Sequence, residues 1–303
     1  MKLWFLPVVG LAGVLAGQPR FVPANYGHLN SHDLRLFPTD GSATAVNIPF
    51  PVWGVKFADD GRSLYASSPI DQRTKPDQSL VRIDFNPVRS TPVIGTQGFT
   101  IKDFAVTPDG SKVVISGHHR EGALQKCGLF EITVSTGSVR HVIAAECNYR
   151  WSWTALAISP DGNRAVAEYG NTHTDHNYRL DLIDLAHGTT KSLGDLSRPT
   201  WSPDGRWVAA IEWNRKRLKL LDASDFSHRR DWGSTIETAW SPDSKYLLVW
   251  KSHFLKCGFA LDVEPPASFE IVEVASGKRS LVASSQCQLV SGSIGWMASD
   301  IRR

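Results

Sequence analysis

Five short stretches of the chain concentrate side chains that bind ligands or ions. They are Gly117-His118-His119-Arg120, Asn148-Tyr149-Arg150-Trp151-Ser152-Trp153, Asn171-Thr172-His173-Thr174-Asp175-His176, Trp213-Asn214-Arg215-Lys216-Arg217 and Lys251-Ser252-His253-Phe254. Imidazole and guanidinium groups grip anions and carbonyls, and indoles offer apolar faces with one polar edge. His173, Asp175 and His176 are residue types that ligate cations, but no regular helix fixes their spacing as a metal site requires. No metal and no cofactor is therefore assigned. A nucleophile elbow of the Gly-x-Ser-x-Gly type is absent. Spacing supports no Ser-His-Asp constellation either, so no catalytic residue is assigned. Adjacent side chains on a strand point to opposite faces, so His118 and His119 cannot serve one ligand together. Of Trp151 and Trp153, one is expected to pack inside and the other to face a loop or channel. The run Arg215-Lys216-Arg217 reads as a solvated loop.

The elements that must carry these stretches are written as an internal repeat. Five segments share one pattern: Val55-Lys56-Phe57-Ala58-Asp59-Asp60-Gly61, Phe104-Ala105-Val106-Thr107-Pro108-Asp109-Gly110, Leu156-Ala157-Ile158-Ser159-Pro160-Asp161-Gly162, Thr200-Trp201-Ser202-Pro203-Asp204-Gly205 and Ala239-Trp240-Ser241-Pro242-Asp243-Ser244. A β run follows each. Pro presets the first corner of a turn, Asp bonds back to nearby backbone, and Gly takes the left-handed corner. Each copy is thus a tight hairpin between two strands. Ser244 stands where the other copies have Gly, so its turn should be strained or of another type. The turn aspartates lie 49, 52, 43 and 39 residues apart. A second hairpin recurs between them, as Ile132-Thr133-Val134-Ser135-Thr136-Gly137, Ile183-Asp184-Leu185-Ala186-His187-Gly188 and Val272-Glu273-Val274-Ala275-Ser276-Gly277, with degenerate copies at Ile83 and Leu220.

Two hairpins in about 40–50 residues make a four-stranded blade, with strands A to D. The expected fold is all-β: a six-bladed β-propeller of four-stranded antiparallel blades. Leu34-Arg35-Leu36-Phe37-Pro38-Thr39-Asp40-Gly41 reads as a C–D hairpin without its A–B partner, and Ile294-Gly295-Trp296-Met297 as an A strand with nothing after it. A half-blade from each end would form a composite blade and remove free sheet edges. The Ser-Pro-Asp-Gly hairpin after an aromatic or aliphatic residue resembles the WD40-like repeat of TolB-type propellers. That resemblance covers nearly the whole chain after its first residues, without the α/β domain that precedes the propeller in TolB. The Trp-Asp strand ends and Gly-His openings of true WD40 repeats are absent.

Function in a propeller sits on a loop face or at the channel mouth, because the strands are committed to packing. The B–C and D–A connections share one face and hold the five stretches named first. The A–B and C–D connections on the other face are tight turns. The residues seven before the last residue of each Asp-turn are Gly54, Asp103, Ala155, Arg198 and Glu237, a mixed set at the channel mouth. It is not the oxygen-rich cage that calcium requires. The expected ligand-facing residues are His118, His119, Arg150, Trp151, Trp153, His173, His176, Arg198, Trp213, Glu237 and His253. The leading reading is a binding or scaffold propeller for a protein, peptide or envelope glycan. The alternative is a propeller enzyme, a metal-dependent lactonase or hydrolase or a sugar dehydrogenase, with its site at the channel mouth.

The four cysteines also follow the repeat. Lys126-Cys127-Gly128 and Lys256-Cys257-Gly258 occupy the same place in two blades, and Cys147 and Cys287 follow the matching D strands. The expected disulfides are Cys127–Cys147 and Cys257–Cys287. A four-cysteine zinc site would show Cys-x-x-Cys spacing, which is missing. Lys2 is followed by about 15 apolar residues and then small ones, the pattern of a signal peptide over residues 1–17, with residues 18–303 as one propeller. The alternative is an N-terminal segment kept as an anchor. Gln18 stands where a lipoprotein would carry cysteine, so a periplasmic or extracellular protein without a stable membrane anchor is expected. The net charge of +3 is small and dispersed, which argues against nucleic acid as a partner.

Overall fold

The computed structural model describes residues 20–26, 33–36, 44–47, 54–59, 62–67, 79–85, 87–147, 151–171, 179–235, 237–252, 267–285 and 292–297. The strands form four-stranded antiparallel sheets. At the N-terminal end lie β1 (Arg20–Tyr26), β2 (Asp33–Leu36) and β3 (Thr44–Asn47). The first consecutive blade is β4 (Gly54–Phe57), β5 (Ser63–Ser67), β6 (Leu80–Phe85) and β7 (Val88–Pro92). The second is β8 (Phe99–Val106), β9 (Lys112–Glu121), β10 (Leu124–Thr133) and β11 (Ser138–Ala144). The third is β12 (Trp151–Ile158), β13 (Arg164–Asn171), β14 (Arg179–Asp184) and β15 (Thr189–Ser192). The fourth is β16 (Leu196–Trp201), β17 (Trp207–Glu212), β18 (Arg217–Asp222) and β19 (His228–Ser234). The fifth is β20 (Glu237–Trp240), β21 (Tyr246–Ser252), β22 (Ala267–Glu273) and β23 (Arg279–Ser285). The last strand, β24 (Gly292–Met297), pairs with β1 in a sheet of order β24-β1-β2-β3.

The two ends of the chain therefore share a sheet, and β24 neighbours both β4 and β20. The division differs from the sequence expectation of a half-blade from each end: the N-terminal end supplies three strands and the C-terminal end one. Strand β1 pairs on one side with β2 and on the other with β24, more than 260 residues away, and no copy of the Ser-Pro-Asp-Gly turn stands beside it to mark it.

The hairpin repeat explains the blades at atomic detail. In four copies the Ser or Thr hydroxyl donates to the turn aspartate: Thr107 to Asp109, Ser159 to Asp161, Ser202 to Asp204 and Ser241 to Asp243. The same hydroxyls accept the N–H groups of Lys112, Arg164, Trp207 and Tyr246, which open the next strand. Thr107 and Ser111 hold the Asp109 carboxyl below its ordinary range by hydrogen bonding to the ionised form. Ser244 does not change the turn type. It adopts the left-handed φ of 59° and donates its N–H to Ser241 at 2.9 Å, as Gly205 does to Ser202. Its hydroxyl accepts the Asp204 N–H of the preceding blade at 2.9 Å, which offsets part of the strain.

The core lies between blades rather than within one. Leu80 and Tyr65 of the first blade pack with Phe99, Phe104, Ile115 and Phe130 of the second. Ala105, Val114 and Leu129 of the second meet Trp153, Leu156, Ile158 and Ile183 of the third. Strand B of each blade is buried on both faces, so it reads as a continuous apolar run rather than an alternation. Arginines on outer strands tie neighbouring blades: Arg140 donates to the Leu185 and Ala186 carbonyls, and Arg230 to those of Val274 and Ala275.

Candidate functional site

On the long-loop face the best-defined feature is the β9–β10 hairpin. Both strands run ten residues, against five and six for β5 and β6. Leu124 at its tip is 68% exposed. The hairpin is stapled in its outer half, at the Cys127–His118 pair, by the Cys127–Cys147 disulfide, with Cα atoms 5.2 Å apart, which joins it to the D–A loop as the blade alignment required. Gly117 and Gly128 face each other across the two strands. A side chain at Gly128 (φ 138°) would run into the Ile143 carbonyl of β11, which explains the glycine after Cys127. Cys257 and Cys287 lie outside the described residues.

His118 and His119 take opposite faces, as their adjacency dictated. His118 is buried at 5% exposure, and its Nδ1 lies 3.1 Å from the Gln125 side-chain nitrogen. Burial, then the neighbouring Lys102 ammonium, pull its pKa below the ordinary imidazole range, so it is neutral at pH 7. His119 stacks on Phe99 at 4.3 Å and its Nδ1 lies 3.4 Å from Glu121. Trp153 is 7% exposed, packs on Tyr169 at 4.9 Å, and accepts the Ser116 hydroxyl on its carbonyl. Trp151 lies in β12 opposite Asn171, and Trp213 opens a single 3-10 turn, Trp213–Arg215. Glu237 is half-buried in β20 opposite Trp250, with its carbonyl accepting from Thr235. Arg150, His173, His176 and His253 lie outside the described residues.

At the channel mouth the A strands share a local device. Strands β8, β12 and β16 each shift register at the same place, between Ile101 and Asp103, Thr154 and Ala157, and Ser197 and Thr200. Such bulges re-aim side chains. Ala155 and Arg198 both adopt φ 47° there. A carboxylate of the preceding blade holds each of the latter two bulges. Asp103 accepts the Leu156 N–H at 2.6 Å and pairs with Lys56 at 3.0 Å. Glu168 accepts the Arg198 N–H at 3.2 Å. It is 9% exposed, and burial, opposed by the Arg198 N–H, pushes its pKa above the ordinary glutamate range.

Asp103 is thus committed to the joint between three blades. Among the described residues no three His, Cys, Asp or Glu side chains are grouped to hold a metal ion. Sequence reasoning missed Lys56 and Glu168. A signal existed for Glu168: it is a carboxylate in a strand-B run that is otherwise Ala-Val-Ala, where the aligned position holds Ser67 or Ser116.

No protein-family model and no curated protein sequence matches the chain. Solved structures do. TolB from Acinetobacter baumannii aligns with a TM-score of 0.58 and 14% identity, over 92% of this chain and 66% of that one, so the chain spans just under two thirds of that TolB. A protein assigned as TolB from Agrobacterium tumefaciens aligns with a TM-score of 0.55 and 16% identity, over 91% and 92%. A chain of the nidogen/laminin complex aligns with a TM-score of 0.59 and 12% identity, over 92% and 98%. Repeat and blade architecture make this chain a β-propeller of four-stranded antiparallel blades, and its fold is similar to that of the TolB structures.

Proposed function

We propose that the chain is an exported binding module, a six-bladed propeller that holds a protein, peptide or envelope glycan on its long-loop face. In this reading the β24-β1-β2-β3 sheet is the sixth blade and closes the ring. Residues 1–17 direct export and are removed, which leaves residues 18–303 in the periplasm or outside the cell. The Cys127–Cys147 bond supports an oxidising compartment. The observation that carries the binding reading is the stapled β9–β10 hairpin. It is longer than packing its blade requires, and it presents a large apolar side chain to solvent at its tip. A buried apolar anchor ringed by polar groups is the usual energetic centre of a protein interface. A chain whose fold aligns with this one was solved in a nidogen/laminin complex, which supports a protein partner.

The test is an affinity pull-down from the envelope fraction with the mature oxidised protein. Wild type is expected to capture a reproducible partner, and Leu124→Asp combined with Arg120→Glu to lose it while melting at an unchanged temperature. Undiminished capture by that double variant would sink the assignment of the face. Stoichiometric calcium or zinc in the same sample, without a partner, would turn the reading to an enzyme at the channel mouth.

A further inference from the structure

In the outer half of the β9–β10 hairpin the sheet narrows to two strands. Strand β10 pairs with β9 as far out as Leu124, but with β11 only as far as Gly128, opposite Ala144. One further backbone bond follows, from the Ala145 N–H to the Cys127 carbonyl at 2.9 Å. Past it the D–A connection meets β10 through sulfur. Cys147 is bonded to Cys127, and its Sγ lies 3.8 Å from the Gln125 carbonyl oxygen. The connection thus lies along a stretch of β10 edge that β11 does not reach.

The two sulfurs sit in different surroundings. Cys127 is 3% exposed and stands opposite His118 of β9, and its carbonyl lies 3.0 Å from the His141 Nε2. The sheet fixes it whether or not the bond is closed. Cys147 is exposed, as is Glu146 before it. Thiol–disulfide exchange needs a thiolate to reach one sulfur, so access decides which bonds are labile. Of this pair, Cys147 is the sulfur that can be reached.

We infer that Cys127–Cys147 is a thiol–disulfide exchange site, opened in the folded protein by a dithiol reductant, and that opening frees the D–A connection from the β10 edge. A thiolate of the reductant attacks Cys147 Sγ in line with the S–S bond. A mixed disulfide forms, the Cys127–Cys147 bond breaks, and Cys127 leaves as a thiolate that takes a proton from solvent. The second thiol of the reductant, as its thiolate, attacks the mixed disulfide at the reductant's own sulfur, and Cys147 leaves and is protonated in turn. The protein disulfide gains two electrons, and the dithiol is oxidised to a disulfide. Cys127 stays in the sheet, so the movement falls on the Cys147 side, in the connection that leads to β12 on the long-loop face.

The probe is dithiothreitol on the oxidised protein. Free thiols are trapped with a maleimide and located by peptide mapping, and circular dichroism is recorded on the same samples. Labelling of Cys127 and Cys147 is expected at a rate that rises with the dithiol concentration and is unchanged by urea below the unfolding transition. Trypsin is expected to cut after Arg150, in the connection, on the order of tenfold faster once the bond is open, because losing the tether lowers the cost of local opening. Cys127→Ser with Cys147→Ser should be cut at that raised rate without reductant. If that variant does not fold, Cys257→Ser with Cys287→Ser keeps the test, because reductant then acts on this bond alone. Three results would overturn the exchange site: thiols that appear only in urea strong enough to unfold the chain, loss of the fold as the bond opens, or equal cleavage after Arg150 in oxidised and reduced protein.

Discussion

Glu168 shows how a single side chain can serve a joint at a cost. Its carboxylate supports the left-handed Arg198 backbone, but burial favours the protonated form. The folded state therefore holds this proton at pH values where the unfolded chain has released it. Its stability contribution is fully present below the ordinary glutamate pKa and is lost as pH rises through the folded value. Glu168→Gln keeps an acceptor for the N–H and removes the charge. Denaturant melts should show its stability relative to wild type growing as pH rises from about 4 to 7. Glu168→Ala removes the acceptor and should cost about 1–3 kcal/mol. A wild-type advantage over Gln that grew with pH would mean that the carboxylate is stabilised by charges rather than burdened by burial. Ser244 teaches a related lesson. Its type announced strain, but its hydroxyl bond to Asp204 in another blade could not be read from the chain.

At the scale of elements, the second blade is the most constrained. The Cys127–Cys147 bond closes a loop with a sequence separation of 20. Reduction, or Cys147→Ser with Cys127→Ser, should lower stability by about 2–4 kcal/mol through the unfolded state. Urea melts with and without reductant would measure it, and a null effect would show that the outer half of the hairpin is held by its strands alone. Gly128→Ala should destabilise by at least a comparable ~2 kcal/mol, because the backbone is left of the usual region and the Ile143 carbonyl blocks the new methyl. Gly122→Ala at the hairpin tip, where a Cβ meets nothing within 4 Å, should cost less. The two glycines differ in φ, 61° against 138°, as well as in what stands opposite, so a thermal melt of each variant compares a tolerated left-handed position with a blocked one.

For the molecule as a whole, the joint of the two chain ends is the element most distant in sequence. Deleting residues 292–303 removes β24 and leaves β1 with an open edge. Exposed edges template further pairing, so size-exclusion chromatography of the truncated protein is expected to show aggregation. A monomer that melts like the full chain would mean that this sheet does not carry the closure. The arginines that tie outer strands to the next blade, Arg140 and Arg230, act at the same scale. Each bonds carbonyls 44 to 46 residues away, so losing one loosens a blade interface rather than a blade.

The repeated Ser-Pro-Asp-Gly hairpin, the strand order within consecutive blades and the Cys127–Cys147 pairing were all legible in the sequence, because turns and hairpins are local and a repeat supplies its own alignment. The strand β1, the commitment of Asp103 to Leu156 and Lys56 and the Glu168–Arg198 joint were not. Each depends on where one blade stands against another, or on a backbone bulge, and contacts between residues distant in sequence leave no periodicity to read. The sequence by itself determined what each blade is; the tertiary structure alone decided which side chains meet where blades adjoin, because that is set by the packing between sheets and not by any one hairpin.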